Sequence, residues 1–149
     1  RERLLPHFDF EVMTRLAAGR YWRQADASQQ KALVDAFRTL LIRTYTNILQ
    51  SNLEETTAVA ESAKINPDYA MSNDDALVSA RITSPSGEPV ALVVRLRQDQ
   101  GEWKVIDVSA NGVSLIVTYR GDFSREISRG GIAGLIETLQ AKNRSNAVE

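Results

Sequence analysis

The sequence predicts an α+β fold, and three observations carry that prediction. A long helical period comes first, with apolar side chains at Leu33, Phe37, Leu40, Leu41, Tyr45, Ile48 and Leu49. After it the apolar period drops to two, from "TAVAESAKI" through "WKVIDVSA". A second helical stretch, interrupted by glycines, follows. Helices, then an antiparallel meander, then helices again is the order of an α+β domain.

Each element has its own reason. "LLPHFDFEVMTRLAAG" predicts a helix, with Phe10, Met13, Leu16 and Ala17 at helical spacing. Pro6 suits its first turn, where a missing N–H costs nothing, and Gly19 suits its C-cap. The long helix is expected from about Ser28 to Gln50. Asp26 and Gln29 stand before it at the spacing of a capping box. "TAVAESAKI" predicts a strand. "DDALVSARITS" alternates Val78, Ala80 and Ile82 against Leu77, Ser79 and Arg81. After a turn at "SPSGEP", "VALVVRLRQ" alternates Val90, Leu92, Val94 and Leu96 against Ala91, Val93, Arg95 and Arg97. "DQGE" and "NG" are turn signals on either side of a strand at "WKVIDVSA". "VSLIVTYR" fits a strand or a helix. Residues 122–140 predict a helix interrupted at Gly130 and Gly131.

Composition removes several classes of function. A chain of 149 residues, 43% hydrophobic and 25% charged, suits one folded domain. A net charge of −1 gives no general attraction to nucleic acid or to an anionic membrane. No apolar run reaches the roughly 18 residues that span a bilayer. With no cysteine, disulfides, thiolate chemistry and cysteine–zinc sites are excluded. The chain starts at Arg1 and shows no signal peptide, which reads as a processed chain lacking its targeting information.

Catalytic chemistry finds few residues to work with. His7 is the one histidine. A metal site would need a carboxylate cluster, and Asp74 and Asp75 in "SNDD" sit at a strand entrance where a solvated turn is expected. Ser114 lies outside any G-x-S-x-G pattern. Asp107, inside an apolar strand, has two readings. It is a general base in a sheet-and-helix cup, or a strand carboxylate that faces outward or receives N–H groups from the "NG" turn. "RGGIAG" lacks the context of a phosphate loop and reads as a hinge or a close-packing site. Arg120, Arg125 and Arg129 read as solvated side chains. From periodicity alone, the apolar faces of the long helix and of the strands read as an ordinary core.

The order of motifs adds a resemblance. "LLPHFDFEVMTRLAAGRYW", "AFRTLLIRTY", "ARITSPSGEPVALVVRL", "WKVIDVSANGVSLIVTYRGDF" and "GGIAGLIETL" together resemble the MlaC family, also called the toluene-tolerance auxiliary family. The resemblance covers nearly the whole chain, and W-x-V-x-D-V…G-V-S-L…Y-R-x-x-F is its most specific part. It implies a curved antiparallel sheet similar to an NTF2-like roll, covered by N- and C-terminal helices that enclose an apolar cavity. It implies a non-enzymatic periplasmic carrier of diacyl phospholipid in Gram-negative bacteria. The lipid would pass between an outer-membrane lipoprotein–porin complex and an inner-membrane ABC transporter. Phospholipid is then cargo, with no cofactor and no metal. Residues 1–149 would form a single, monomeric domain without the family's signal peptide and N-terminal helical segment, neither embedded in a membrane nor bound to nucleic acid.

The same resemblance places three residues against the lipid. They are Tyr45 at the end of A-F-R-x-x-L-x-x-x-Y, Val113 in G-V-S, and Val90 at the start of the strand after "SPSGEP". Parity adds Val78, Ala80, Ile82, Leu92, Val94 and Leu96 from the strands, and Phe37, Leu41 and Ile48 from the long helix. The headgroup is expected to stay in water, because no dedicated cationic clamp is visible.

Overall fold

The computed structural model describes residues 7–51, 71–72, 75–83 and 86–148. It is a mixed fold of helices and antiparallel sheet. The order is α1 (Phe10–Ala18), a 3-10 turn (Gly19–Gln24), α2 (Ala27–Ser51), β1 (Met71–Ser72), β2 (Asp75–Thr83), β3 (Pro89–Asp99), β4 (Glu102–Ala110), β5 (Val113–Ser114) and α3 (Leu115–Val148). Two compact units emerge. A sheet unit comprises Arg1–Asp9 and Asn47–Leu115, and a helical unit comprises Phe10–Thr46 and Ile116–Glu149. The strand expected at "TAVAESAKI" lies outside the described residues.

In the sheet unit the five strands pair antiparallel in sequence order. Two hairpins close with two-residue loops, Gln100–Gly101 and Asn111–Gly112. All four residues have positive φ, the backbone that matches the twist of paired strands. Asn111 does more than turn the chain. Its N–H donates to the Ala91 carbonyl at 2.8 Å, and its Oδ1 accepts the Ala91 N–H at 3.1 Å. The side chain thereby extends the β3–β4 ladder beyond its last pair, Leu92 with Ala110.

A bulge interrupts that ladder. Arg95 pairs with Asp107, but Leu96 pairs with Val105, so Ile106 is the extra residue. The facing pattern of β4 therefore changes parity in mid-strand. Trp103 and Val105 share a face with Val108 and Ala110 rather than with Asp107 and Ser109.

The first helix begins later than expected. Phe8 forms a parallel bridge with Val105, and the Asp9 N–H donates to the Val105 carbonyl at 2.9 Å. Phe8 and Asp9 are thus committed to the edge of β4, and α1 starts only at Phe10. Pro6, assigned to the helix by its sequence, lies outside the described residues.

The helical unit follows its sequence signals closely. Asp26 and Gln29 form the reciprocal cap of α2: the Gln29 N–H donates to Asp26 Oδ1 at 2.8 Å, and the Asp26 N–H donates to Gln29 Oε1 at 3.1 Å. Met13, Leu33, Phe37, Phe123 and Leu135 are fully buried here. "VSLIVTYR" divides: Val113–Ser114 is strand, and helix begins at Leu115.

Gly131 then breaks α3, with φ 73° and ψ −174°, a conformation reserved for glycine. The two arms fold back on one another. The Thr138 hydroxyl donates to Glu126 at 3.2 Å, although twelve residues of straight helix would span about 18 Å. The C-terminal arm is tied to α2. Asn143 Nδ2 donates to the Ala36 carbonyl, and Arg43 donates to the Asn143 carbonyl, both at 3.0 Å.

Candidate functional site

Register assembles one apolar sheet face from separate stretches of sequence. Ile82 pairs with Val90. Ala80, Leu92 and Ala110 form the next row, Val78, Val94 and Val108 the next, and Ala76, Leu96 and Val105 the last. Directly paired residues share a face, so these rows make one surface with no charged residue in it.

The two ends of that surface differ. At one end Ala76, Val78, Val94, Leu96, Trp103 and Val105 close into a buried cluster, with Phe8 and Val108 packed against it. Toward the other end Val90 and Leu92 are half-buried, and Val113 is 63% exposed. The side chains of Ala80 and Ile82 lie outside the described residues, though their register positions are fixed by Leu92 and Val90.

The opposite face is polar, and it corrects one expectation. Asp75 does not occupy a solvated turn. Its carboxylate accepts Arg97 Nε at 2.9 Å, Arg97 Nη2 at 3.1 Å and Arg95 Nη1 at 3.1 Å, and its side chain is only 3% exposed. Alternation along β3 brings both arginines to the face on which β2 begins with Asp75. The Arg97 hydrogen bonds, then those of Arg95, hold the Asp75 carboxyl below its usual range against the opposing effect of burial. Asp74 lies outside the described residues.

Asp107 lies on this polar face too, paired in register with Arg95. One of its oxygens accepts the Val108 N–H at 2.7 Å, and the other accepts the Ser114 hydroxyl at 2.5 Å. The carboxylate latches β4 to the residue that leads into α3.

On the helical unit, the Phe37 ring is fully buried and meets Tyr119 and Phe123 edge-on, each at 5.0 Å between centroids. Leu41 is buried one turn further along. Tyr45 is half-buried and shares a hydrogen bond with Tyr119. Burial first, and that hydrogen bond second, push the Tyr119 phenol well above its usual pKa. The side chain of Ile48 lies outside the described residues. Tyr119 was missed as a functional candidate by sequence reasoning. Its signal was the i, i+4 spacing to Phe123, visible only once "VSLIVTYR" is read as helix.

Of the four arginines of α3, the three singled out from the sequence are each engaged. Arg125 pairs with Asp122, Arg129 with Glu126 at 3.7 Å, and Arg120 Nε donates to the Leu16 carbonyl at 3.1 Å. Among the described residues no group of three or more His, Cys, Asp or Glu is placed to hold a metal ion. No helix among them is long and apolar enough to cross a membrane.

Two comparisons bear on this geometry. The sequence model described as MlaC protein matches residues 1–141. A solved structure of a phospholipid-binding protein from Ralstonia solanacearum, in complex with a phospholipid, is similar over 97% of this chain and 78% of that chain. The two are 32% identical, with a TM-score of 0.73.

Proposed function

Since this chain belongs to the MlaC family, we propose that it is a phospholipid carrier that takes acyl chains onto the apolar face of its sheet. The observation that carries the reading is the uneven sealing of that face. Its Trp103 end is closed by the protein's own side chains, while Val90, Leu92 and Val113 stay accessible. The phospholipid bound to the Ralstonia protein supports the same ligand class here.

Within this reading Val90, Leu92 and Val113 are the contacts on the open end, with Val78, Ala80, Ile82, Val94 and Leu96 continuing the same face. Tyr45 is proposed as a contact on the helical unit, with Phe37, Leu41 and Ile48 on the same helix. Residues 1–149 serve as one phospholipid-binding domain. The setting proposed is the periplasm, with lipid passed between an outer-membrane lipoprotein–porin complex and an inner-membrane ABC transporter.

Energetics favour a carrier over a reservoir. Two acyl chains bring roughly 30 CH₂ groups, worth about 0.8 kcal/mol each when removed from water. The total of about 25 kcal/mol exceeds the affinity that non-covalent complexes reach. The chains come from a bilayer, however, where they are already dry. A surface matching the bilayer interior exchanges lipid at nearly constant free energy while holding it firmly against water.

No observation favours an enzyme acting through Asp107. As a base it would have to release the Val108 N–H and the Ser114 hydroxyl, and it stands on the charged face. The carrier reading is tested by extracting purified protein with organic solvent and by native mass spectrometry. Diacyl phospholipid is expected in amounts comparable to protein. Protein that neither co-purifies with phospholipid nor takes it up from vesicles overturns the reading.

A further inference from the structure

The net charge of −1 conceals a division between the two units. The helical unit holds 11 basic and 7 acidic residues, net +4, and the sheet unit holds 7 basic and 12 acidic residues, net −5. Within the helical unit, one short element combines exposed cations with aromatic rings: the 3-10 turn "GRYWRQ" at Gly19–Gln24.

Arg20 and Arg23 are exposed on it, and Tyr21 and Trp22 are half-buried between them. The Arg20 guanidinium lies 5.0 Å from the centre of the Tyr21 ring and donates to its hydroxyl at 3.0 Å. The turn is held in place. The Trp22 carbonyl accepts Gln30 Nε2 at 2.9 Å and the Ala25 N–H at 3.3 Å. Exposed Arg120 of α3 reaches the end of α1 beside Gly19, adding a third cation. Nearby carboxylates are committed: Asp26 to the cap of α2, Asp122 to Arg125, and Glu126 to Arg129 and Thr138.

We propose that the Gly19–Gln24 turn, with Arg20, Arg23 and Arg120 around Tyr21 and Trp22, is a docking surface for an anionic lipid bilayer. Tyrosine and tryptophan settle at the headgroup level because each has an apolar body and a polar tip. Arginine forks pair with phosphate, and each basic residue near an anionic leaflet adds attraction. An acidic protein would also meet the cations, and tyrosine and tryptophan serve protein interfaces too, so it is the alternative outcome that the test below separates from the bilayer. The proposal rests on the carrier reading for its purpose, since a carrier must approach membranes. Its chemistry stands apart from where the cargo is held.

The test uses flotation of the lipid-loaded protein with phosphatidylcholine vesicles and with vesicles that also contain phosphatidylglycerol. Binding should favour the anionic vesicles and weaken with salt. The double variant Arg20→Gln/Arg23→Gln should lose roughly thirtyfold in anionic-vesicle binding, from about 1 kcal/mol for each basic residue. Lys142→Gln/Arg144→Gln removes the same charge elsewhere on the unit and should change binding by less than about twofold. Equal losses in both double variants would overturn the proposal, since net charge alone would then explain binding. So would the absence of any preference for anionic vesicles, or binding to polyglutamate without binding to vesicles, which would identify an acidic protein partner. Lipid load measured on the same samples keeps the readings apart. A variant that retains its cargo but no longer floats upholds the docking surface, whereas protein that floats without cargo counts only against the carrier.

Discussion

The apolar face of the sheet has two ends built from one repeating pattern and finished in opposite ways. Around Leu96, Trp103 and Val105 the side chains bury each other, and Phe8 adds a lid from the chain that precedes α1. Around Val90, Leu92 and Val113 the same alternation leaves apolar surface open. Hydrophobic periodicity reports which way a side chain faces. It does not report whether anything covers it. What separates the ends is the distribution of large side chains and the bridge from Phe8 to Val105, which closes one end only. The sealed end should therefore govern stability, and the open end should govern cargo.

The largest expected effect is at the sealed end. Trp103→Ala removes the biggest side chain of the cluster and should cost about 3–5 kcal/mol of unfolding free energy in chemical denaturation. A loss below about 1 kcal/mol would show that the cluster is not the structural anchor it resembles.

Next in size is the ion pair on the reverse of the same end. Asp75→Asn should cost about 1–3 kcal/mol, rather than more, because the arginines left behind are 35% and 42% exposed and can rehydrate. The effect has a pH signature. Unfolded, this carboxyl titrates near 3.8, and in the folded chain Arg97 and Arg95 hold it lower. Its contribution is thus complete above about pH 5 and disappears as pH falls through 3.8 to the folded value. Wild type and Asp75→Asn should converge in stability at low pH. A gap that stays constant down to pH 2 would assign the loss to packing rather than to charge.

These contrasts also show what could be read from the sequence and what could not. The succession of helices, antiparallel sheet and helix, the α2 cap at Asp26 and Gln29, and both glycine turns follow local rules, and among the described residues they stand as those rules put them. The facing of β2 and β3 was legible as well, because alternation put Val78, Ala80 and Ile82 on one side of the first and Val90, Leu92, Val94 and Leu96 on one side of the second, although which residues pair came only with the register. Three features depended on distant partners and were not legible. Asp75 is buried because of two arginines some twenty residues away. Phe8 leaves the helical pattern for a strand edge nearly a hundred residues away. The bulge at Ile106 reverses parity within one strand, and no local signal announces it.

The W-x-V-x-D-V…G-V-S-L…Y-R-x-x-F series gains a physical meaning from this geometry. Trp103 and Val105 fill the sealed end, Asp107 latches Ser114, and Gly112 makes the turn. Tyr119 and Phe123 pack on Phe37, and Arg120 holds the last turn of α1. Most of the pattern therefore has structural tasks, spread over the sealed end of β4, the turn after it and α3, while Val113 is the position proposed to face cargo.

A smaller effect on stability, with a large effect on cargo, is expected at the open end. Val113 is 63% exposed, so Val113→Arg should change unfolding free energy by no more than about 0.5 kcal/mol. Co-purified lipid should nevertheless fall sharply, because an acyl chain lying against a guanidinium would have to strip its water. Val113→Arg protein with a full lipid load would remove this residue from the proposed surface. Leu96→Arg is the paired control. At the sealed end it should unfold the protein rather than empty it.

The smallest effect concerns the headgroup, and it follows from where the cations are. The rows around Val90 and Leu92 contain none. Arg95 and Arg97 stand on the other face with their donors turned to Asp75, and Arg81 alternates to that face as well. On the described strands a phosphate group carried at the open end would meet no prepared clamp and would keep its water, which leaves chain burial to set affinity. Phosphatidylethanolamine and phosphatidylglycerol of identical chains, competing for delipidated protein, should differ by less than tenfold, or about 1.4 kcal/mol. The docking turn at Gly19–Gln24 does not alter this expectation, because there the anionic lipids act as a surface and not as cargo. A preference beyond tenfold would mean that the open end carries a cation site of its own, and the contrast between the two ends would then be one of charge as well as of closure.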